Sequence, residues 1–205
     1  MSKENFRTQV KKNGLILQYA SEEFRADKDL VLEAVKQDGL ALKYASEELR
    51  NDREVVLAAI EQTGFSLRYA SEDLKNDRAI VLVAVRGEGL ALKYASEELR
   101  GNKEIALEAI HKYSCALEYA SKELRSDKEV VLEAIIRNES VLEYVNKEMP
   151  EYKAVLYRLN FFIECNKDKF PIEYELLKKY EREDKIKKKL DLNNKNNQSR
   201  LRQKI

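Results

Sequence analysis

The residues best suited to chemistry are pairs of carboxylates that recur in the tripeptide Ser-Glu-Glu, as at Ser46-Glu47-Glu48. Two neighbouring carboxylates work as general acid and base only when their environments differ enough to separate their pKa values. Five similar copies of this segment, four of them with both carboxylates, favour a structural role instead, in which the serine caps a helix or the whole tripeptide is solvated. We therefore assign no catalytic residue to these pairs.

His111 is the single histidine, and Tyr113 and Cys115 follow it closely. A cysteine nucleophile needs a base within hydrogen-bond reach, and zinc usually needs four ligands, so this group suits neither chemistry. The sequence RGEGL around Gly87 and Gly89 lacks the third glycine and the preceding strand of a dinucleotide-binding loop. We expect no enzymatic activity, no metal and no cofactor, and we interpret His111 as drift at an exposed turn.

A row of regularly spaced tyrosines, which we call the tyrosine ladder, is consistent with either packing between units or recognition of a partner. The motif Tyr-Ala-Ser recurs every 25 residues, at Tyr19, Tyr44, Tyr69, Tyr94 and Tyr119, and decays to Tyr144-Val145-Asn146. Tyrosine is enriched at protein interfaces, but it also packs its ring between neighbouring elements and leaves its hydroxyl at the edge. We favour the packing interpretation for this ladder, and a recognition stripe is the alternative.

The elements that position these residues are tandem repeats with a constant period. Alignment on Asp27 gives six units, at residues 2–26, 27–51, 52–76, 77–101, 102–126 and 127–150. One unit of this length cannot bury enough apolar surface to offset its conformational entropy, so the units must stack. The predicted fold class is all-α, an α-solenoid of about six 25-residue two-helix repeats.

The first helix of each unit is predicted to follow an N-capping residue. These caps are Asp27, Asp52, Asp77, Asn102 and Asp127. The helix is apolar over a wide arc, from Leu30 to Val35, which predicts burial against neighbours on two sides. It is predicted to end at Gly39, Gly64 or Gly89, which we expect in the left-handed conformation common after a helix.

The second helix of each unit is predicted from positions such as Leu40, with Leu42, Ala45 and Leu49 on one face. Ser46 and the two glutamates after it also have the pattern of a separate cap, which would break this helix in the middle. Both alternatives keep the fold class.

The phrases DREVVLAAI, GLALKYASEELR and SDKEVVLEAI resemble the tandem repeats of a widespread bacterial and protist family of unknown function. The likeness covers about residues 2–149. It implies a helical repeat scaffold, and analogy with other α-solenoids adds a binding role. The chain departs from the family pattern at Ser114, Cys115, Glu139 and Ser140, where the glycine turn is lost, so we expect the later units to differ in shape.

Both ends of the chain differ from the repeats. Residues 151–190 have another apolar pattern, which predicts a helical C-terminal cap on the stack, and residues 191–205 are predicted to form a disordered basic tail. In the first unit, Asn5, Arg7 and Gln9 replace apolar residues, as expected of a solvent-facing cap.

The C-terminal residues 185–205 contain eight basic residues and one acidic residue, a net charge of about +7, whereas the whole chain carries +1. The basic residues singled out are Lys185, Lys187, Lys188, Lys189, Arg200, Arg202 and Lys204. Such a tail can bind nucleic acid or an anionic surface. We favour a solubilising role, because no aromatic residue is interleaved for base stacking.

The three residues before each glycine, or before its replacement, vary most between units, and stacking should line them along one edge. Our hypothesis is that this edge contacts a partner. The residues proposed to bind are Lys36, Gln37, Glu61, Gln62, Arg86, Glu88, His111, Lys112, Tyr113 and Arg137. Neutral drift explains the same variation and is the alternative.

The chain has 205 residues, of which 37% are charged, and no stretch approaches the roughly 20 apolar residues that span a bilayer. The N-terminus lacks a signal segment, and Cys115 and Cys165 do not form a disulfide framework. We expect a cytoplasmic monomer that binds another protein, with non-classical secretion left open. The alternatives are nucleic-acid binding through the tail and a fragment of a larger effector-like protein.

Overall fold

The computed structural model describes residues 3–146 of the chain, except for the side chain of Glu139. All secondary structure in this range is helical, and one arrangement of helices repeats in successive units. The predicted all-α class and its repeated, solenoid-like architecture are confirmed. The predicted cap at 151–190 and the predicted tail at 191–205 lie outside the described residues.

Each described unit begins with its longest helix. In units 1 to 6 these helices are Lys3–Val10, Lys28–Gln37, Arg53–Gln62, Arg78–Gly87, Lys103–Lys112 and Lys128–Arg137. The side chain of Asp27 accepts a hydrogen bond from the Leu30 N–H at 3.0 Å, and Asn102 does the same for Ile105 at 3.2 Å. All five predicted N-caps are confirmed, because each satisfies a free donor of the first turn.

Every unit continues with a 3₁₀ helix of six residues. These are Gly14–Tyr19, Gly39–Tyr44, Gly64–Tyr69, Gly89–Tyr94, Ser114–Tyr119 and Glu139–Tyr144. A short third segment follows in units 1 to 5, at Glu22–Arg25, Glu47–Arg50, Glu72–Lys75, Glu97–Arg100 and Leu124–Ser126. The second helix is therefore broken at Tyr-Ala-Ser, the second of the two alternatives that the sequence left open.

The break depends on the serine of this motif. The Oγ of Ser46 accepts a hydrogen bond from the Leu49 N–H at 3.3 Å and so caps the short helix. The Ser46 N–H donates to the carbonyl of Arg25 in the preceding unit at 2.9 Å. A continuous helix would need that N–H for a hydrogen bond within the helix. The bond between units therefore ends the 3₁₀ helix. The same bond recurs at each later boundary between described units.

The glycine that starts the 3₁₀ helix has a different role from the predicted one. No glycine among the described residues has a positive φ, so the left-handed conformation expected at Gly39, Gly64 and Gly89 is wrong. The residue before it is extended instead, as at Thr63 with φ −154°. Glycine is needed because a Cβ on Gly64 would lie 2.5 Å from the carbonyl oxygen of Ala84 in the next unit.

The core is continuous from unit to unit. In unit 2 its members are Leu30, Val31, Ala34, Val35, Ala41, Leu42, Ala45 and Leu49. The same positions are buried in units 3 to 5. The long helix of unit 3 contacts the long helices on both sides, which confirms the wide apolar arc and its burial against two neighbours. Within residues 3–146, none of the helices has both the length and the apolar character that a membrane span requires.

The first unit matches its predicted capping role only in part. Asn5 and Gln9 are exposed, as expected of an end unit. Arg7 is half-buried instead, and its guanidinium forms an ion pair with Glu33 of unit 2. The prediction that Arg7 faces solvent is confirmed only in part, because its side chain stays 36% exposed while its guanidinium reaches the next helix.

The loss of glycine in the later units leaves the turn unchanged. Ser114 and Glu139 begin 3₁₀ helices of the same length as those that begin with glycine. The difference in shape appears further on, since Leu124–Ser126 in unit 5 is a 3₁₀ helix where units 1 to 4 have a short α-helix.

Candidate partner-binding surfaces

The variable turns lie at the C-terminal ends of the long helices, and their first two residues are exposed in units 2 to 6. Neighbouring turns touch one another, since the Thr63 hydroxyl of unit 3 donates a hydrogen bond to the Glu88 carboxylate of unit 4 at 2.9 Å. Of the proposed residues, Tyr113 is 51% exposed and Glu88 is half-buried. The turns of successive units therefore adjoin, as the hypothesis of a common edge requires.

Three of the proposed residues contact a carboxylate of the next or the same unit, and the two arginines among them do so as ion pairs. Arg86 lies 3.2 Å from Glu108, while His111 Nε2 and the Arg137 guanidinium lie 3.1 and 2.7 Å from Glu133. The hydrogen bond from Arg86 lowers the pKa of Glu108, and the hydrogen bond from Arg137 lowers the pKa of Glu133. Exposed pairs of this kind contribute little to stability, but they fix these side chains on the protein's own surface.

Glu88 acts as a helix cap, which the sequence argument missed. Its carboxylate accepts a hydrogen bond from the backbone N–H of Phe65 at 3.0 Å, and so caps the 3₁₀ helix of the preceding unit. Unit 2 uses the residue at the same turn position, Asp38, to accept from the Leu40 N–H of its own 3₁₀ helix at 2.9 Å. In units 2 and 4 the third residue of the turn is therefore committed to capping.

Six proposed residues are exposed, and their side chains make no ion pair or hydrogen bond within residues 3–146. We call them the turn surface: Lys36, Gln37, Glu61, Gln62, Lys112 and Tyr113. They come from units 2, 3 and 5, and their side chains differ in charge and size. Only these members of the predicted set are uncommitted to the stack.

A ladder of ion pairs at the N-terminal ends of the long helices was not predicted. Lys28 Nζ lies 2.8 Å from Asp52 and 2.9 Å from Glu54 of the next unit. The same kind of pair is formed by Lys3 with Asp27, Arg53 with Asp77, Arg78 with Glu104, and Lys103 with both Asp127 and Glu129. The basic residue after each capping position is visible in the sequence. The ion pairs were not predicted because the partner carboxylate is 24 to 26 residues away along the chain.

The ladder keeps the capping carboxylates ionised. Burial alone raises the pKa of Asp52, but hydrogen bonds from Lys28 and from the Val55 N–H outweigh burial and hold that pKa below its ordinary value. At Asp27 the hydrogen bond from Lys3 is the largest cause of a lowered pKa. The cations of this ladder therefore stabilise the boundaries between units and already have partners.

The 3₁₀ helices form a second exposed surface, which the sequence analysis recorded only as a tyrosine ladder. Its half-buried members are Tyr44, Tyr69, Tyr94 and Tyr119. The Tyr94 ring packs edge-on against Phe65 of the preceding unit, with centroids 6.4 Å apart. Packing between units therefore involves part of this ladder, and the exposed parts of the rings leave the recognition alternative in place.

A basic residue precedes the tyrosine in units 2 to 4, and the sequence analysis did not single it out. These residues are Lys43, Arg68 and Lys93, all exposed. Each lies over a tyrosine ring, with the charged group 5.4 or 5.5 Å from the centroid. Units 5 and 6 have Glu118 and Glu143 at this position. The repetition of Leu-Lys-Tyr and Leu-Arg-Tyr in the sequence is the pattern from which these cations could have been identified.

The serines and the unit 5 cluster have structural contacts. Each motif serine accepts a hydrogen bond from the N–H three residues later, at 3.2 to 3.4 Å, as the capping interpretation predicted.

In the unit 5 cluster, Cys115 Sγ accepts a hydrogen bond from the Asn138 amide at 3.8 Å. Within residues 3–146, no group of three or more His, Cys, Asp or Glu residues is placed to hold a metal. The basic tail residues lie outside this range.

The repeats match a known family of domains. The sequence model of the family described as "Domain of unknown function (DUF4116)" matches residues 10–50, 52–100 and 102–149. The second and third matches each span two of the 25-residue units, so the domain of this family corresponds to a pair of units. No curated protein and no solved structure matches the chain.

Proposed function

We propose that this chain, which belongs to the DUF4116 family of domains of unknown function, is a non-catalytic helical-repeat scaffold that binds another protein. The observation that carries the proposal is the difference between repeated and variable positions in each unit. Repeated positions supply the core, the caps and the bonds between units. The side chains of the turn surface vary and make no polar contact within the described residues, so they are available to a partner.

Charge favours a protein partner over nucleic acid. The whole chain carries +1 and residues 185–205 about +7, which leaves about −6 on residues 1–184. Nucleic-acid binding requires clustered Lys and Arg that neutralise phosphates. The turn surface instead mixes Lys36 and Lys112 with Glu61, and it includes the aromatic Tyr113, a residue type that often dominates the energy of protein interfaces.

The first test is affinity capture with the full chain from cells of its own organism, followed by identification of the bound proteins by mass spectrometry. One captured protein is then purified and its affinity for the chain is measured. We expect direct binding by a monomeric chain, with the stoichiometry given by light scattering. A chain that captures no protein, or only proteins that do not bind it when purified, contradicts the proposal.

Two sets of variants then test the surface. Alanine at all six positions of the turn surface should weaken partner binding by about tenfold or more, because a few exposed anchors usually carry most of the binding energy. The control replaces Glu48 and Glu98, exposed residues of the short helices, with glutamine, and should leave the affinity unchanged. Equal affinity of both sets of variants means that the partner binds elsewhere.

The role of the basic tail in binding is tested separately from the turn surface. A chain truncated after residue 184 should still bind the protein partner. If the truncated chain loses binding, and if the affinity of the full chain falls steeply with added salt, the alternative of an anionic ligand bound by the tail is favoured.

A further inference from the structure

The 3₁₀ helices of units 2 to 4 carry a row of exposed cations and half-buried tyrosines that we call the basic tyrosine face. It consists of Lys43, Tyr44, Arg68, Tyr69, Lys93 and Tyr94. Residues three apart in a 3₁₀ helix lie on the same side, which places Leu40 beside Lys43 and Phe65 beside Arg68. Leu40 and Phe65 are 39% and 37% exposed. Each unit therefore adds a cation, a tyrosine and an apolar side chain to one surface.

The cations of this face differ from the repeated cations at the helix N-termini. Those of the N-terminal ladder, from Lys3 to Lys103, all pair with carboxylates of the next unit. Lys43, Arg68 and Lys93 form no ion pair within residues 3–146. Each instead makes a cation–π contact with a tyrosine ring. A neutral ring orients a cation without neutralising it. The positive charge on this face is therefore not used by the fold.

The repeat spacing suits an extended chain. Helices that pack side by side lie about 8 to 10 Å apart, which sets the distance between equivalent cations of successive units. An extended peptide in the polyproline II conformation has three residues per turn and rises about 3.1 Å per residue, so every third side chain lies on the same side and advances by about 9 Å. A peptide with acidic residues at every third position therefore presents one carboxylate to each cation.

We propose that the basic tyrosine face binds an extended acidic segment of a partner protein, with carboxylates three residues apart paired to Lys43, Arg68 and Lys93. Apolar side chains of the segment contact Leu40 and Phe65. This inference rests on the proposed function, because it names one surface and the chemistry of the partner that a protein-binding chain would hold there.

A nucleic acid fits this face less well. Bases stack on open aromatic faces, whereas the tyrosine rings here are half-buried. Tyr44 and Tyr69 already have cations over them, and Tyr94 packs against Phe65. Exposed glutamates also start the short helices three residues after each tyrosine, at Glu47, Glu72 and Glu97. They would repel an unbroken phosphate backbone, whereas a peptide carries charge only where its sequence places it.

The face ends at unit 4, which limits the length of the bound segment. Units 5 and 6 have Glu118 and Glu143 in place of the cation, and both are exposed. These carboxylates repel a further acidic residue. Three cations in consecutive units therefore select an acidic stretch of about seven residues.

The test uses the full chain and a fluorescent peptide of about seven residues with glutamate at its first, middle and last positions and leucine or serine between them. We expect saturable binding by anisotropy that weakens as salt is added. The double variant Lys43→Glu, Lys93→Glu should bind about tenfold more weakly or worse. The matched double variant Lys12→Glu, Lys122→Glu changes two exposed lysines outside both proposed surfaces and has the same net charge, and its affinity should change less than about twofold.

A charge-reversed peptide keeps the test independent of any loss of folding. A peptide with lysine in place of the first and last glutamates, and with the middle glutamate kept opposite Arg68, should bind the Lys43→Glu, Lys93→Glu variant and not the original chain. A folded variant that binds neither peptide, or that binds the acidic peptide as well as the original chain does, overturns the proposal.

Three further results would also overturn it. The first is an equal loss of affinity in the two double variants, and the second is equal affinity for a peptide with its three glutamates adjacent. The third is tighter binding of a single-stranded oligouridine that displaces the peptide, since that result assigns the face to nucleic acid. If the captured partner binds the Lys43→Glu, Lys93→Glu variant unchanged, this inference is wrong while the proposed function stands. Failure of the proposed function is recognised differently, because the original chain then captures no protein.

Discussion

Units 2 to 4 and units 5 to 6 make the same turn between the long helix and the 3₁₀ helix, but only the first group makes it with glycine. The residue before the 3₁₀ helix is extended in both groups, with φ −150° at Asp38 and −159° at Asn138. Ser114 and Glu139 then start a 3₁₀ helix just as Gly39 does. The comparison shows that glycine serves the close approach of neighbouring units and not the conformation of the turn.

The two groups of units also differ in charge at the residue before the tyrosine. Lys43 and Lys93 occupy this position in units 2 and 4, whereas Glu118 and Glu143 occupy it in units 5 and 6. All four are exposed, and the helix has the same length in every unit. Surface positions of the 3₁₀ helix can therefore change sign without altering the stack, which lets different units acquire different ligands.

The largest predicted effect concerns the glycine. We expect Gly89→Ala to destabilise the protein by about 1 to 3 kcal/mol, measured by urea denaturation, because the added methyl group overpacks a unit boundary. A Cβ at Gly89 would overlap the carbonyl oxygen of Ala109 and would lie 3.0 Å from the backbone nitrogen of Tyr113. Both atoms belong to the backbone of unit 5, so the units would have to separate.

Two controls sharpen this comparison. Gly87→Ala lies two residues away, at the end of an α-helix, where a Cβ meets nothing within 4 Å, so it should stabilise the protein by about 0.4 to 1 kcal/mol. Ser114→Gly in unit 5 should change stability by less than about 1 kcal/mol, because that boundary already accommodates a side chain. Similar losses for Gly87→Ala and Gly89→Ala would contradict the close-approach explanation, because only a Cβ at Gly89 meets the backbone of the next unit.

The parts of the fold that could be predicted from sequence are those specified within one unit. Asp27 and Ser46 cap helices that begin directly after them, and both signals were readable. The choice between a continuous and a broken second helix was not readable, because it depends on the bond from the Ser46 N–H to Arg25 of another unit. The role of Gly64 was missed for the same reason, since its contact is with Ala84 of the next unit.

The same limit applies to the candidate surfaces. Sequence variation located the exposed turns correctly, but it could not show that Arg86 pairs with Glu108 or that Glu88 caps a neighbouring helix. The basic tyrosine face was missed because Lys43 and its equivalents repeat, and repetition was interpreted as structural. Only the arrangement of ion pairs distinguishes these cations from Lys28 and the rest of the N-terminal ladder.

The second prediction compares the caps of units 4 and 5. Asp77→Ala should cost about 1 kcal/mol in urea denaturation, because the Asp77 carboxylate accepts hydrogen bonds from the N–H groups of Ala79 and Ile80 at 2.9 and 3.0 Å. Asp77→Asn should cost less, since Asn102 caps the equivalent helix of unit 5. If asparagine is as damaging as alanine, the ion pair with Arg53 matters more than the cap.

The third prediction follows from the charge of the same cap. Burial raises the pKa of Asp77, but hydrogen bonds from the Ile80 N–H and from Arg53 outweigh it, so the pKa lies below its ordinary value of 3.8. A lowered pKa stabilises the fold above pH 3.8, and this contribution is lost as the pH falls through the folded-state pKa. The Asp77→Asn variant should therefore lose less stability on acidification than the original chain, as measured by melting temperature.

The smallest effect concerns the tyrosines of units 5 and 6. The Tyr144 hydroxyl donates a hydrogen bond to Glu143, and this carboxylate is the largest cause that raises the pKa of Tyr144 from 10.0 to about 12. For Tyr119 the largest cause of the raised pKa is burial, and Glu118 comes second. Glu143→Gln should therefore lower the pKa of Tyr144 more than Glu118→Gln lowers that of Tyr119, measured by NMR titration of labelled tyrosine.

The direction of the stability effect at Tyr144 follows from the same shift. A raised pKa means that the neutral phenol is favoured in the folded chain, so its contribution is fully present below pH 10 and is lost between pH 10 and about 12. Glu143→Gln should remove this alkaline dependence without affecting stability at pH 7 by more than a small amount, because the pair is exposed. If both variants lower the pKa of the neighbouring tyrosine equally, units 5 and 6 are electrostatically alike. They then differ from units 2 to 4 only by the reversed charge at the residue before the tyrosine.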